Sequence, residues 1–507
     1  MPAKSHSPQE VELKLEVAPS ELKKIVAHPF LTDRSMGSRV QRLQSTYFDT
    51  PDHVLRKNGI SLRIRRNGDQ LIQTIKADRS SSGIALARSE WEHEVESDSL
   101  DYTFIAQTAL EPFLAHRSSI QPAFRVLTER TLHTVSVDGS TVEVAVDAGE
   151  IEGKNGTVSF GELELELKDG TPADLFRLAL ILSASASLRL SFKTKAERGY
   201  EAASDERHTR IKASDILLKR KMTAATAFQT IGASCLQHLM ANDAIVRQAP
   251  EADAVHQMRV ALRRLRAAIT LFKSIVDDRQ RDSVRAELKW MANVLGEARD
   301  LDVYITNILE PAGDRHGNDE GFQSLLAAYR ERRGEAYRKV QETIESPRFI
   351  NGILATAAWI QAGDWLQDKS KAVRQRRKQP VAALAEDQID RRWKKVIKRG
   401  KHLAELDPED RHQVRIEIKK LRYATEFFNN LFKGRGAKKR KRAVLSRLEA
   451  LQETLGELND IAVGSHNEPS LLSRQLHEEQ TVRVNGLLAA ARQQYRELAG
   501  LEPFWRF

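Results

Sequence analysis

Near residue 215 the hydrophobic period of this chain changes from two to about 3.6, and a chain that changes period changes architecture with it. Before that point, alternating runs follow one another: "STYFDT", "ISLRIRR", "QLIQTIKA", "RSEWEHEVE", "AFRVLTERT", "HTVSVDG", "TVEVAVDAGEIE" and "GELELELK". Turn signals such as "RNGD", "VDGS" and "GKNG" separate them. Helical patterns interrupt only near 19–28 and 172–185, too few for the crossovers of a parallel sheet, so an antiparallel sheet or barrel is expected. Beyond it, amphipathic segments succeed one another near 222–247, 251–276, 279–308, 320–345, 347–361, 380–404, 408–432, 440–462 and 476–498. At 507 residues the chain is too long for one core, and the predicted division is 1–203, a polar linker 204–214, and 215–507.

The helical part repeats itself. "HQMRVALRRLRAAITLF" from His256 matches "HQVRIEIKKLRYATEFF" from His412 at an offset of 156, and "LGEARDLDV" from Leu295 matches "LGELNDIAV" from Leu455 at an offset of 160. Two copies at a near-constant spacing predict two similar helical bundles related by a pseudo-twofold. At about 100° per residue, His256, Arg259, Arg263 and Arg266 fall in one sector of about 80°, beside an apolar face of Leu262, Leu265, Ile269 and Phe272. His412, Arg415, Lys419 and Arg422 repeat that stripe, while Arg264 and Lys420 point elsewhere as flanking charges. One basic stripe is usually a solvated face; two copies around one groove favour a polyanion site.

The charge distribution agrees. Residues 1–205 hold 25 Lys+Arg against 30 Asp+Glu, and the remainder 55 against 40, so a mildly acidic part precedes one with a net charge of +15. Neither stripe carries the interleaved aromatics that stack bases, Tyr423 standing in one copy only, which argues against nucleic acid. The runs "KSKAVRQRRK" (369–378) and "KGRGAKKRKR" (433–442) are expected as flexible loops that raise the local potential. The single cysteine, Cys235, excludes an intrachain disulfide framework, and no apolar stretch approaches a membrane span, so a soluble cytoplasmic protein without a membrane partner is expected.

The strands carry an unusual second face. In "EVELKLEV", Glu10, Glu12, Lys14 and Glu16 alternate with Val11, Leu13, Leu15 and Val17. "GELELELK" aligns Glu162, Glu164 and Glu166, "RSEWEHEVE" aligns Glu90, Glu92, Glu94 and Glu96, and "SLRIRR" aligns Arg63 with Arg65. Facing outward, these charges make a solvated sheet with weak ion pairs. Facing inward, they make a costly mixed lining that a metal-bound oligophosphate would neutralise, carboxylates holding the hard cation and Arg and Lys the phosphate oxygens.

Residues 10–14 read E-x-E-x-K, and the ordered series "EVELK", "YFDT", "LRIR", "TIK", "SEWEHEV", "FRVLTER", "VAVDAGEI", "GELELELK" and "FKTK" resembles the CYTH superfamily, the triphosphate tunnel metalloenzymes, over nearly all of residues 8–200. The helical pattern H-x-x-R-x-x-x-[RK]-[RK]-x-R resembles a CHAD domain over roughly 215–500. The resemblance implies a two-domain α+β fold: an N-terminal eight-stranded antiparallel β tunnel barrel with its charges inward, then an all-α domain of two pseudo-symmetric bundles.

It further implies that Arg63, Arg65, Lys76, Arg125, Arg130 and Lys193 hold inorganic triphosphate, with Lys14 reaching it from the first strand. Glu10, Glu12, Glu162 and Glu164, joined by Glu166 and Asp147, would hold Mg2+ or Mn2+, and Glu90 and Glu92 would bind metal or orient the basic residues. Tyr47 and Lys76 resemble a proton-handling pair, whereas Lys195 and Arg66 are expected at a solvated rim. The expected activity is metal-dependent hydrolysis of inorganic triphosphate to pyrophosphate and phosphate. The helical part is expected to bind inorganic polyphosphate and to associate with its granules. A class IV-type adenylyl cyclase or a non-catalytic polyphosphate scaffold are the alternatives.

Overall fold

The change of period becomes a change from sheet to helix in the computed structural model, which describes residues 10–78, 84, 86–153, 156–204, 209–316, 319–434, 436–467 and 471–506. By internal contacts the chain forms two units: Met1–Thr209 with Glu345–Gly363, and Arg210–Ile344 with Asp364–Phe507. Among the described residues the first unit is built on nine strands: β1 (Glu10–Glu16), β2 (Ser35–Asp49), β3 (Ile60–Asn67), β4 (Gln70–Asp78), β5 (Leu86–Glu94), β6 (Gln121–Val137), β7 (Ser140–Gly153), β8 (Gly156–Asp169) and β9 (Arg189–Ser191). Every pairing is antiparallel, in the order β5-β4-β3-β2-β6-β7-β8-β1-β9, with β5 also paired to β1.

The count corrects the expected eight strands. One edge of β1 is shared, its first half (Glu10–Glu12) taking β5 and its second half (Lys14–Glu16) taking the short β9. A second correction concerns "AFRVLTERT" and "HTVSVDG", which form one strand, β6, because β2 and β7 pair with it without a break across Leu132.

Strands β1, β3, β4 and β8 each bury an aliphatic face opposite the charged one. Leu13 and Leu15 of β1, with Leu163 and Leu165 of β8, are fully buried, and the Pro172–Leu182 helix packs over those two strands. Turning β1 over would expose its leucines at about 1.5–3 kcal/mol each, which fixes its charged face inward. Leu62 and Ile64 of β3 and Ile75 of β4 are covered in the same way by Leu55, Ile105 and Leu110. The Pro347–Ala362 helix, although it lies between the two sequence repeats, packs on the Pro172–Leu182 helix and on β9.

In the second unit four long helices recur in the same order in each copy. Ala224–Gln248, Ala252–Leu271, Gln280–Tyr304 and Glu320–Glu345 are followed by Val381–Arg399, Pro408–Phe427, Ala437–Asn467 and Leu471–Ala499. The copies start on each other: Ala224 N–H donates to the Gln379 carbonyl (2.9 Å) and Val381 N–H to the Met222 carbonyl (2.8 Å). The two expected basic loops are corrected. "KAVRQRRK" is a helix, Lys371–Lys378, capped by Ser370 and pinned where Arg377 donates to the carbonyls of Trp365 and Asp368. The run "AKKRKR" opens the Ala437–Asn467 helix. In the expected linker, residues 205–208 lie outside the described residues, and Ile211 exchanges hydrogen bonds with the Asn242 side chain (2.9 and 2.8 Å). No described helix is long and apolar enough to cross a membrane.

Candidate functional site

Strand register brings the charged residues together. Lys14 stands opposite Glu164, Asp147 opposite both Glu162 and Arg130, Arg63 opposite Thr74 and Tyr47, and Lys76 opposite Glu90. Asp147, Glu162 and Glu164 each offer an oxygen within 4.8 Å of the other two, and Asp147 and Glu162 are fully buried. Arg130 grips Asp147 with two hydrogen bonds (2.8 and 2.7 Å) and reaches Glu164 at 2.6 Å. Lys14 Nζ donates to Glu164 and lies 3.1 Å from Glu12.

The third cation here is Lys195, the residue expected at a solvated rim. It is buried, with Nζ 2.5 Å from Glu162, 2.9 Å from Glu164 and 2.9 Å from Asp147. "FKTK" does not continue a strand: β9 ends at Ser191, and Thr194 caps a helix, Lys195–Ala202. Thr194 Oγ1 accepts from Glu197 N–H (3.1 Å) while Glu197 accepts from Thr194 N–H (2.7 Å). The T-x-x-E spacing of Thr194 and Glu197 was the sequence signal for that turn. One helical turn on, Arg198 Nη2 lies 3.2 Å from Glu162 Oε2, an oxygen that accepts no hydrogen bond among the described residues.

Burial opposes the charges of Lys14, Arg130, Asp147, Glu162, Glu164 and Lys195, and it is set against the neighbours at each. The carboxylates around Lys14 and Lys195 overcome burial and hold both ammoniums above their usual range. Lys14, Lys195 and Arg130 likewise hold Glu164 well below its usual range, whereas at Glu162 burial wins and the carboxyl is raised.

Across the interior the balance is positive. Arg65 makes no ion pair among the described residues, and burial, Arg63 and Arg130 together push its pKa down to about 10. The Nε atoms of Arg63 and Arg65 are buried without an acceptor among the described residues. Arg63 Nη1 lies 3.4 Å from Tyr47 Oη. Burial would raise the Tyr47 hydroxyl, but Arg63, Arg65 and Lys195 outweigh it and hold the phenol below its usual range. Tyr47 stacks on Phe124 (4.8 Å), in a cluster with Phe160 and Tyr200 on the same face.

The remaining expected residues divide. Lys76 pairs with Glu90 at 3.1 Å, and Glu92 accepts from Thr74 at 3.1 Å but is exposed, so Glu90 is the more enclosed of the two. Glu166 pairs with Lys168 at 2.7 Å, apart from the triad. Lys193 is tied to Glu201 at 2.7 Å outside the carboxylate cluster. Arg125 is corrected: it stands opposite Thr46, five residues from Arg130 and therefore on the other, exposed face of β6. Glu10 opens β1, and its side chain lies outside the described residues.

In the second unit the two stripes meet. Arg259, Arg263 and Arg415 surround Lys419, and burial followed by these cations lowers its pKa to about 7, Asp460 opposing them. Arg259 donates to the Gly296 carbonyl (2.8 Å) and to Asp300 (2.7 Å), and Arg415 lies over Gly456. These glycines belong to the second repeated motif, which thereby acquires a purpose: a Cβ at either would stand 3.2 Å from the guanidinium. Beside them, His256 is lowered to about 4 by burial, Arg299, Arg263 and Arg259, while His412 Nδ1 contacts Asn459 Oδ1 (2.5 Å). Arg266 is half-buried near Arg285, and Arg422 faces Glu426 and Glu449 (3.5 and 3.8 Å). Arg264 is no flanking surface charge, being buried with its guanidinium 5.6 Å from the Phe427 ring centre.

Residues 8–200 match the family model of the CYTH domain, and residues 230–466 that of the CHAD domain. The chain carries a CYTH domain followed by a CHAD domain. Over 198 residues it is 33% identical to the inorganic triphosphatase of Haemophilus influenzae, covering 38% of this chain and 54% of that one. The crystal structure of the CHAD domain from the plant Ricinus communis is similar at 27% identity and a TM-score of 0.44, over 58% of this chain and 92% of the other. A Hippeastrum protein assigned as an adenylyl cyclase, with a dominant triphosphatase activity, is similar at 16% identity and a TM-score of 0.30, over 38% and 97%. The chain spans little more than half the length of the curated relatives it matches.

Proposed function

We propose that the first unit hydrolyses inorganic triphosphate to pyrophosphate and phosphate with the help of Mg2+ or Mn2+, and that the second unit binds inorganic polyphosphate. The observation that carries the first half is Arg65, a half-buried arginine whose Nε is enclosed, beside Arg63 and Arg130 with no ion pair of its own among the described residues. A cation of this kind is stabilised by an anion, and the carboxylate triad on the same inner face suits the metal that would accompany it. The relation to the Haemophilus influenzae triphosphatase supports the substrate. The pairing of β5 with β1 supports the interior of strands β1–β8 as the tunnel that holds it.

Asp147, Glu162 and Glu164 fit a hard divalent cation: their oxygens converge, Glu162 Oε2 lacks a hydrogen bond among the described residues, and carboxylates are the donors such ions take. Glu12 lies next to them along β1. A metal held there would neutralise phosphate oxygens and lower the pKa of a water. The chain's own groups do the rest. Arg63, Arg65 and Arg130 fix the phosphates by planar, charge-assisted hydrogen bonds. Glu90 orients Lys76 beside them, and the cluster of Tyr47, Phe124, Phe160 and Tyr200 excludes water from part of that face. The Tyr47 hydroxyl holds a proton next to Arg63.

The test is phosphate release from inorganic triphosphate, with ATP and long-chain polyphosphate in parallel, with and without Mg2+ or Mn2+. Rapid metal-dependent release from triphosphate is expected. Cyclic AMP with pyrophosphate from ATP would make it a cyclase, and no turnover with tight polyphosphate binding would make it a scaffold. For the second unit, the meeting of the two stripes around Lys419 supports polyphosphate, and granule association in the cytoplasm would follow from such binding. Tyr423 is buried and presents no ring for a base to stack on. Replacing Arg259, Arg263, Lys419 and Arg422 together should release polyphosphate and spare triphosphate hydrolysis.

A further inference from the structure

Lys195 occupies the point where the acid triad converges. Lys14 contacts Glu12, Glu162 and Glu164, and Arg130 contacts Asp147 and Glu164; among the described residues only the Lys195 ammonium touches Asp147, Glu162 and Glu164 together, at 2.9, 2.5 and 2.9 Å. Its place is set independently of those acids. It is the first residue of the Lys195–Ala202 helix, whose start is held by the reciprocal Thr194 and Glu197 hydrogen bonds, and its Nζ passes 5.8 Å from the Phe160 ring centre. A four-carbon stem on a fixed helix start lets the ammonium withdraw while the backbone stays. Arg130 has no such freedom, because its planar fork is closed on Asp147 by two bonds.

Three carboxylates with oxygens within 4.8 Å, two of the residues fully buried, repel one another unless a cation sits among them. We propose that Lys195 is a built-in counter-ion for these carboxylates, holding the triad assembled while no divalent ion is bound and competing with that ion for the same oxygens. This rests on the metal role given to the triad above. Lys195 therefore sets how tightly metal is held, and loading moves its ammonium toward the phosphate-binding side.

The experiment is Mn2+ binding to the full-length, chelator-treated protein, followed by calorimetry and by the paramagnetic signal of free Mn2+, for the native chain and for Lys195→Met, Lys195→Gln and Lys195→Arg. Removing the competing charge should tighten Mn2+ binding at least about tenfold in the Met and Gln variants, with Arg close to the native chain. The same two variants should melt lower without metal and gain more in melting temperature from Mn2+ than the native chain does. Should Lys195→Met fail to fold without metal, Lys195→Gln, which keeps a hydrogen-bond donor, carries the comparison. Unchanged or weaker Mn2+ binding in both neutral variants overturns the counter-ion role alone. No Mn2+ binding by any of the four chains overturns the metal role of the triad and the counter-ion role with it.

Discussion

At the scale of single residues, parity separates side chains that look alike. Arg125 and Arg130 are both arginines on β6, yet an odd spacing sends one to the exposed face and the other onto Asp147. Arg125→Ala should leave triphosphate turnover within about twofold of the native chain, since surface changes rarely exceed about 0.5 kcal/mol. Arg65→Ala should cost roughly 10–100-fold in turnover, the worth of charge-assisted hydrogen bonds, without lowering the melting temperature, because it removes a half-buried charge that has no ion-pair partner among the described residues. Phosphate release and thermal melting on the two variants check both. Lys419 gives the pH dependence. Burial and Arg415, Arg263 and Arg259 hold the free ammonium's pKa near 7, and a bound polyanion would restore it toward its ordinary value. Retention should be full below about pH 7 and weaken by up to about tenfold per pH unit above it, a slope that Lys419→Arg should flatten. A flat profile in the native chain would show that Lys419 does not meet the ligand.

At the scale of elements, the repeat is explained by the way its two motifs meet. The Arg of the first motif lies over the Gly of the second, Arg259 over Gly296 and Arg415 over Gly456. Gly296→Ala or Gly456→Ala should raise helix stability by up to about 1 kcal/mol while displacing the guanidinium by a few tenths of an ångström. The expected result is an unchanged or higher melting temperature with several-fold weaker polyphosphate binding; equal binding would mean these arginines have slack. The pairing of motifs was legible as repetition but not as contact, because the offset between copies says nothing of what faces what. Lys195 was missed for a related reason. Read as strand, "FKTK" makes Lys193 and Lys195 equivalent, whereas the capping box at Thr194 starts a helix that turns Lys195 inward and leaves Lys193 with Glu201.

At the scale of the whole molecule, chain order and structural unit part company. The Pro347–Ala362 helix lies between the copies of the repeat but belongs to the first unit, where it packs on the Pro172–Leu182 helix and on β9. Buried Arg189 of β9 donates to Glu345 at 2.9 Å, across 156 residues of sequence. Residues 1–209 expressed alone should therefore melt lower than the same unit in the full chain and expose apolar surface to a hydrophobic dye. Equal melting would show that the helix adds no stability.

What the sequence determined by itself is what local periodicity and chemical type control. The change from strand to helix and the separation of charged from aliphatic faces on β1 and β8 follow from alternation and chemical type, while the inward direction of the charged faces was implied only by the resemblance to the CYTH superfamily. Tertiary structure alone decided the ninth strand, the company Lys195 keeps, the meeting of the two basic stripes around Lys419, and the unit that claims Pro347–Ala362. Each of these depends on which surfaces pack together, and packing is a property of pairs of segments far apart in the chain, which no local pattern encodes.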